Sequence, residues 1–378
     1  MMKPNFFLSP ILCLLAIVAM LLEAKVTCAL EANLSGERVL FIHSYPIGER
    51  GHQLLNGFKD VVRQRFPDTS FKISVLDYND LQPVFQNFHW DNFKKHKNLV
   101  HKHREILHQQ IKDFNPTILV ISDDEAAEVI HPLPEAFDKP VFFMGMNRSV
   151  AEIPWYQNNP SQYVGGIEDK KPIAASLRVL REMMPIKKIA IVTSDEMSSY
   201  LILKSILPQI ERFSKMEERR MGSPGKIEVV KVIKSSKFND WKEGLKAVEE
   251  DIDLVWTLIP YNVYNERGQE MKVGKIGRWM LENLKVPSIG ISDINVKIGA
   301  LFAQASNSRK LGEQLGEQVQ GYLLSKKLRR IGFERRLGYD FFVNKDTANH
   351  FEIKIPEKRL PMLNVVYGTN VREKKGTK

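Results

Sequence analysis

Six stretches of polar residues follow short apolar runs, and their side chains could hold a small solute. Three stretches lie in the first half of the chain and three in the second. They carry hydroxyl, carboxylate, amide and phenol groups, which suit a small polar ligand with an apolar or aromatic part, since a tyrosine ring can stack on it. The candidate ligand-binding residues are Ser44, Tyr45, Asp123, Asp124, Asn147, Ser194, Asp195, Tyr261 and Asp293.

The segment Ser122-Asp123-Asp124-Glu125 gathers three carboxylates directly after an apolar run. Two neighbouring carboxylates can perform acid–base chemistry, and Asp124 would be the candidate acid. The same residues also suit a helix start, where Ser or Asp caps free N–H groups and the helix dipole favours acids. Capping alone, capping with ligand contact, and catalysis are the three alternatives.

Sequence signatures of catalysis and of nucleotide binding are absent. The chain contains no GxSxG nucleophile elbow, no HExxH, no P-loop and no GxGxxG. No pair of a nucleophile and a base is recognisable either. We therefore expect a binding protein with no catalytic residue and no cofactor, and not an enzyme.

Five of the nine histidines lie between Gln82 and His108, and such a concentration could indicate a metal site. Ligands on one helix face need spacings of three or four residues, whereas the gaps here are 7, 5, 2 and 5. Both cysteines, Cys13 and Cys28, lie near the N-terminus, so no thiolate is at hand. We expect no metal site, and instead a long amphipathic helix with an exposed face of histidine and lysine.

The elements that would position the candidate residues alternate between short apolar runs and amphipathic stretches. The apolar runs are at 38–42, 71–76, 117–121, 140–144, 163–167, 188–192, 227–233, 254–259 and 288–291. Runs of this length, each followed by polar residues, are typical of parallel strands buried on both faces. The pattern predicts an α/β protein of two doubly wound, Rossmann-like lobes joined by a multi-strand hinge, with the ligand between the carboxyl ends of their strands.

The restart of this pattern near residue 160 sets the predicted domain boundaries. The first lobe is expected to comprise 30–150 plus about 286–305, and the second 151–285 plus about 306–345, which leaves a C-terminal segment and basic tail at 346–378. Hinges are expected near 147–155, 260–275 and 303–307. The strongest helical pattern covers 308–324, where Gly312 and Gly316 lie four residues apart and predict close approach to a neighbouring helix.

Residues 1–29 have the layout of a secretory signal peptide. A lysine stands near the start, an apolar run extends from Phe6 to Leu22, and small residues follow around Cys28 and Ala29. The run of 17 residues is at the lower limit for spanning a bilayer, so a retained anchor is one alternative, and a lipoprotein attached through Cys28 is another. We expect export to the periplasm, either free or held at the membrane.

The composition is that of an ordinary globular protein, with 43% hydrophobic and 26% charged residues. The formal net charge of +10 would attract anionic partners, but the lysines and arginines are dispersed along the chain. Solvated faces explain this charge, and no nucleic-acid partner is expected.

Five segments between Arg38 and Leu360 carry motifs of one family. They are Asn56–Asp60, Pro140–Asn147, Val164–Ile167, Met184–Ile189, and Asn344 and Ala348 with Ile355–Leu360. In this order they resemble ABC transporter substrate-binding proteins with the type I periplasmic-binding-protein fold, a family that includes tryptophan/tyrosine transporter components. The resemblance implies a small-molecule ligand, with an amino acid as one candidate, and an ABC permease as partner.

Three segments are more similar to a branch of the same fold found in the extracytoplasmic part of bacterial sensors. These are Ile42–Tyr45, Ser122–Ala126 and the long stretch from Gln82 to His108. The principal hypothesis is a solute-binding protein of an ABC-type importer. The alternative is a ligand-binding accessory protein for a membrane signalling protein.

Overall fold

The computed structural model describes residues 36–130, 139–149, 163–222, 225–325, 332–335 and 337–368. The expected signal peptide and part of the expected hinge at 147–155 lie outside these residues. No helix within the described ranges is both long and apolar enough to cross a membrane.

The first lobe is built on a parallel sheet with strand order β2-β1-β3-β4-β5-β11. Its strands are β1 (Arg38–His43), β2 (Ser70–Val75), β3 (Ile118–Ser122), β4 (Val141–Met146), β5 (Tyr163–Glu168) and β11 (Gly332–Arg335). Strand order reverses between β1 and β3, so a crevice opens at their carboxyl ends.

The second lobe repeats this arrangement with the order β7-β6-β8-β9-β10-β12-β13. Among the described strand pairs of this sheet, only that of β10 and β12 is antiparallel. The strands are β6 (Lys188–Thr193), β7 (Glu228–Lys234), β8 (Leu254–Thr257), β9 (Ser288–Gly290), β10 (Phe302–Ser306), β12 (Tyr339–Asn344) and β13 (Leu363–Val366). Its strand order reverses between β6 and β8.

Helices connect the strands and cover both sheets. They are α1 (Glu49–Arg65), α2 (Gln82–Phe85), α3 (Asp91–Lys95), α4 (Lys97–Phe114), α5 (Asp124–Ile130), α6 (Ile173–Met183), α7 (Met197–Met221), α8 (Phe238–Lys246), α9 (Val273–Asn283), α10 (Asp293–Lys297), α11 (Ser308–Ser325) and α12 (Lys345–His350). Short 3-10 turns occupy Glu249–Asp251 and Glu357–Met362. The prediction of two doubly wound lobes is confirmed.

Each sheet is buried on both faces because side chains alternate along its strands. In β1, Leu40 and Ile42 belong to one buried apolar cluster, and Val39 and Phe41 belong to another. The same alternation in β6 divides Ile189 and Ile191 from Ala190 and Val192. Two helix layers therefore enclose each sheet, and only the strand ends are available for a site.

The predicted exchange of segments between the lobes is wrong in its boundaries. β9 and β10 lie within 286–305 but pair with β8 and each other in the second sheet. β5, which was assigned to the second lobe, pairs with β4 of the first. α11 was assigned to the second lobe too, yet its Leu311 and Leu315 are buried with Phe58 of α1. Strand pairing and helix packing decide lobe membership, and a pattern of apolar runs carries no information on either.

The close approach of α11 to a neighbouring helix is confirmed, and that neighbour is α1. A Cβ atom at Gly312 would lie 1.9 Å from the carbonyl oxygen of Leu54, and one at Gly57 would lie 2.3 Å from that of Arg309. Real Cβ atoms do not approach backbone this closely, so the two helices meet backbone to backbone.

By the pairing of its described strands, the chain crosses between the lobes in three places: after β5, after β10 and after β11. The expected hinge at 303–307 coincides with the second crossing. The expected hinge at 260–275 is wrong, because this segment connects β8 to α9 within the second lobe.

Candidate functional site

The loops at the carboxyl ends of the two sheets meet in a buried cross-lobe network. It consists of Tyr45, Tyr78, Glu125, Glu196, Ser198 and Asn262. The first three residues follow β1, β2 and β3 of the first lobe, and the others follow β6 and β8 of the second. The site therefore lies where both strand orders reverse, which is the place where doubly wound sheets bind ligands.

Ser198, in the first turn of α7, connects the lobes through two hydroxyl contacts. Its Oγ donates to Oε1 of Glu125 at 2.5 Å and lies 2.8 Å from the Tyr45 hydroxyl. Glu125 is fully buried, and its Oε2 has no hydrogen-bond partner. Burial raises the pKa of the Glu125 carboxyl above its ordinary value.

Glu196 makes the reciprocal contact from the second lobe. Its Oε2 accepts a hydrogen bond of 2.8 Å from the Tyr78 hydroxyl and one of 2.6 Å from Nδ2 of Asn262. Glu196 is 3% exposed, and burial raises its pKa although these donors oppose the shift. Asn262 has φ of +55°, a left-handed conformation that few non-glycine residues adopt, so this contact also fixes an unusual turn after β8.

Asp123 is the second residue of this site with a left-handed backbone, at φ +73°. Asp123 directly follows β3, and Asn262 lies on the loop after β8, so each sheet has a residue of sparsely populated backbone conformation near its carboxyl end, as functional sites often do. The Asp123 carboxylate accepts from Oγ of Ser122 at 3.0 Å and would collide with any Cβ on Gly145, at 2.6 Å. Burial, reinforced by the charge of Glu125, raises the pKa of Asp123 to about 8.

Asp124 points into the first lobe and organises the loop after β4. It accepts from the backbone N–H and from Nδ2 of Asn147, at 2.8 and 3.1 Å, and lies 3.2 Å from Nε of Arg148. Burial raises its pKa to about 7, against the opposing charge of Arg148. Asp124 thus positions Asn147, which keeps its amide oxygen for another partner.

A second polar group lies beside the crossings between the lobes, and we call it the Arg50 group: Arg50, Asp169, Tyr261, Asp293 and Ser306. The Arg50 guanidinium donates to the carbonyl oxygen of Ser306 at 3.3 Å and lies 3.8 Å from Asp293. Oγ of Ser306 donates to Asp169 at 3.2 Å. Tyr261 is 41% exposed, and burial raises the pKa of its phenol while the nearby Arg50 charge opposes the shift.

Three other predicted site residues stabilise the loops themselves. Ser44 is fully buried, donates to the carbonyl oxygen of Ser122 and accepts from the amide of Ala126, so it caps α5 from a neighbouring strand. Ser194 is also buried, with its Oγ 3.1 Å from Ser199. Asp195 forms an ion pair of 2.9 Å with Lys234.

Sequence reasoning missed the central residues of the network. Glu125 and Glu196 each lie beside a predicted residue, but a glutamate early in a helix usually serves the helix dipole and faces solvent. No sequence pattern distinguishes Tyr78, Arg50 and Ser198, because their partners lie on the opposite lobe and are brought near only by the tertiary fold.

The histidine-rich stretch forms α2, α3 and α4. His103 is buried, and its Nε2 lies 2.9 Å from Asp80, whereas His101 faces solvent. No group of three His, Cys, Asp or Glu is arranged to hold a metal ion within the described residues.

Two doubly wound lobes whose strand ends meet define the class of type I periplasmic binding proteins. A family model described as "ABC transporter substrate binding protein" matches residues 86–363 of the 378. The chain belongs to this family, which confirms the resemblance of its motifs. No curated protein matches the sequence.

Solved structures of similar fold include substrate-binding proteins. The ABC domain in complex with L-Trp from Streptococcus pneumonia is 17% identical, with a TM-score of 0.61, and the match covers 88% of this chain and 100% of that one. A conserved domain protein from Vibrio cholerae is 18% identical, with a TM-score of 0.60 and the same coverage. A ligand-free, open substrate binding protein with adhesive properties from Clostridium difficile is 15% identical, with a TM-score of 0.58 over 88% and 99%.

Proposed function

We propose that this chain is the extracytoplasmic solute-binding component of an ABC-type importer, and that it binds a small organic molecule between its lobes. The observation that carries the proposal is the meeting of polar loops from both sheets at the strand-order reversals. A ligand held there contacts both lobes, so its binding free energy favours the closed arrangement.

An amino acid is the first candidate ligand because the Arg50 group offers both signs of charge. The Arg50 guanidinium suits a carboxylate, and the carboxylates of Asp169 and Asp293 suit an ammonium group. The half-exposed ring of Tyr261 offers an apolar face beside them. The complex of one structural relative with L-Trp supports the same chemical class.

Among the nine predicted residues, we assign two different roles. Ligand contact is proposed for Tyr45, Asp123, Asn147, Asp195, Tyr261 and Asp293. Positioning of the loops is proposed for Ser44, Asp124 and Ser194, because their polar atoms are engaged within their own lobe.

A thermal-shift screen tests the function. The protein is heated with each of the common amino acids, small carboxylic acids and amines at millimolar concentration. A ligand present at 100 times its Kd stabilises the folded protein by about 2.7 kcal/mol, so a true ligand raises Tm by several degrees. Titration calorimetry on each hit gives the stoichiometry, which should be one. No stabilisation by any solute of these classes would contradict the proposed ligand chemistry.

The partner and the location require separate measurements. Mass spectrometry of the exported protein decides whether residues 1–29 are removed, as we propose. Cross-linking in whole cells, followed by identification of the captured membrane protein, distinguishes the importer from the sensor. Capture of a permease supports transport, and capture of a signalling protein instead would replace this proposal with the alternative.

A further inference from the structure

The segment from Gln82 to Trp90 extends from the first lobe toward the second. It is anchored in the first lobe by Val84 and Phe85, which are fully buried in the apolar cluster that also contains Leu40 and Ile42. It belongs to the long stretch between β2 and α4, and none of its residues is part of the cross-lobe network or of the Arg50 group.

Three polar groups of this segment contact the second lobe. Nε2 of Gln82 and Nε2 of Gln86 donate to the same acceptor, the hydroxyl of Tyr264, at 2.8 and 3.0 Å. The backbone N–H of Asn87 donates to the carbonyl oxygen of Asp195 at 2.7 Å. Asn87 has φ of +44°, so the chain turns sharply where its amide reaches across.

Apolar contacts accompany these bonds. The ring of Phe88 lies 5.6 Å from that of Tyr200 in α7. Met197 and Leu201 of the same helix are buried in the first-lobe cluster that holds Phe85 and Phe88. The second lobe thus inserts one face of α7 into the core of the first lobe. The burial of this apolar surface stabilises the contact between the lobes more than a few surface hydrogen bonds would.

The contacted residues belong to the loops that form the site. Asp195 precedes Glu196, which itself pairs with Gln86 in a short antiparallel bridge. Tyr264 lies three residues after Tyr261 on the loop that follows β8. A change at this contact therefore changes the position of site residues from the second lobe.

We propose that Gln82–Trp90 is a latch that holds the two lobes closed over the site without a solute. The inference goes beyond solute binding, because it states what sets the closed population of the free protein. When only a fraction f of the free protein is competent to bind, the apparent Kd equals the intrinsic Kd divided by f. Because the latch changes the populations of the closed and open forms, it also changes this apparent affinity.

Tyr264→Phe is the principal test, because it removes only the oxygen that both glutamine amides share. We expect it to lower the ratio of closed to open molecules roughly tenfold. In the protein without solute, hydrogen exchange should then accelerate by the same factor at 82–90 and 195–200, and small-angle scattering should give a larger radius of gyration. Tyr322→Phe is the matched control, since its ring packs on Phe142 within the first lobe.

A second variant, Gln82→Ala with Gln86→Ala, removes the donors and should reproduce the effect, with Gln109→Ala on α4 as its control. Two results would overturn the latch: unprotected exchange of the Asn87 amide in the unchanged protein, or unaltered exchange and scattering in both test variants. These measurements use no solute, so failure of the latch and failure of solute binding are separate outcomes.

Discussion

Glu125 and Glu196 approach the lobe interface from opposite sides, and neither reaches bulk water. Each accepts a hydrogen bond from a hydroxyl of the other lobe, namely Ser198 and Tyr78. A carboxyl that loses water at closure favours its neutral form, so burial raises the pKa of both. Closure of the lobes is thereby linked to the proton occupancy of these groups.

Asp123 allows a pH test of this electrostatic arrangement. Its pKa is about 8 in the folded protein against an ordinary value of 3.8. Between these two pH values the folded state holds a proton that the unfolded state has lost. The contribution of Asp123 to the free energy of unfolding is therefore fully present below pH 4 and is lost as the pH rises through 8. Over pH 4.5–8.5, we expect the free energy of unfolding of Asp123→Asn to fall less steeply than that of the unchanged protein. The difference between the two slopes should be up to about 1.4 kcal/mol per pH unit.

Thermal melts across that pH range, for the unchanged protein and the variant, provide the measurement. Asp251→Asn is the control, because the Asp251 side chain is 70% exposed and lies 3.9 Å from the nitrogen of Lys188. An equal pH dependence of stability in all three proteins would contradict this prediction, because it would show that the pKa of Asp123 is the same in the folded and unfolded states.

Tyr261 carries the prediction for ligand affinity. Its ring is among the exposed large side chains and lies beside Arg50 and Asp293. Loss of one stacking aromatic costs about 0.5–1.5 kcal/mol, so Tyr261→Ala should weaken binding of the solute found by the screen roughly tenfold or less. Calorimetry measures this, with exposed Tyr367→Ala as control. Equal affinity in both variants would place the ligand away from Tyr261.

Sequence reasoning at the residue scale predicted polar loops after the strands, where the structure has them, but could not rank the side chains within them. Ser44, Asp124 and Ser194 are chemically suitable, yet their partners come from the same lobe. Glu196 is central because Tyr78 and Asn262 meet it from different lobes. Such contacts depend on tertiary approach, which local residue types do not encode.

At the scale of elements, the pair of α1 and α11 shows what a sequence pattern can predict. Two glycines four residues apart predicted close helix packing, because a missing Cβ is a local property. The identity of the partner was not predictable, since Gly57 and Gly312 lie far apart in the chain. For the same reason α11 was assigned to the wrong lobe.

Gly312→Ala tests the backbone contact of these helices. The new Cβ would lie 1.9 Å from the carbonyl oxygen of Leu54, so α11 must shift, and we expect a loss of about 1–3 kcal/mol in the free energy of unfolding. Gly321→Ala, in the same helix with nothing within 4 Å, should instead stabilise by about 0.5–1 kcal/mol. Urea denaturation measures both, and equal effects at the two positions would refute the close packing.

On the scale of the whole molecule, the first lobe is assembled from two distant parts of the chain. Leu311, Leu315, Val319 and Leu323 of α11 are buried against α1. Burial of four such side chains contributes roughly 6–12 kcal/mol, as much as the net stability of a typical domain. The first-lobe segment that precedes β6 therefore lacks a finished core.

A fragment of residues 36–172 should accordingly remain unfolded or aggregate. The same fragment joined through a flexible linker to residues 307–337 should fold, because β11 can then pair with β5 and α11 can pack against α1. Near-ultraviolet circular dichroism and urea denaturation distinguish the two polypeptides, since only the folded one should show a cooperative transition. A cooperative transition in the shorter fragment would show that α11 is dispensable.

The late position of α11 also has a consequence in time. Ser308 lies 140 residues after Glu168, the last residue of β5. At about 5–20 residues per second, a ribosome needs roughly 7–28 s to make that interval, and throughout it α1 covers one face of the first sheet without α11. A nascent chain that cannot complete the core of its first lobe early stays unfolded for longer during its synthesis.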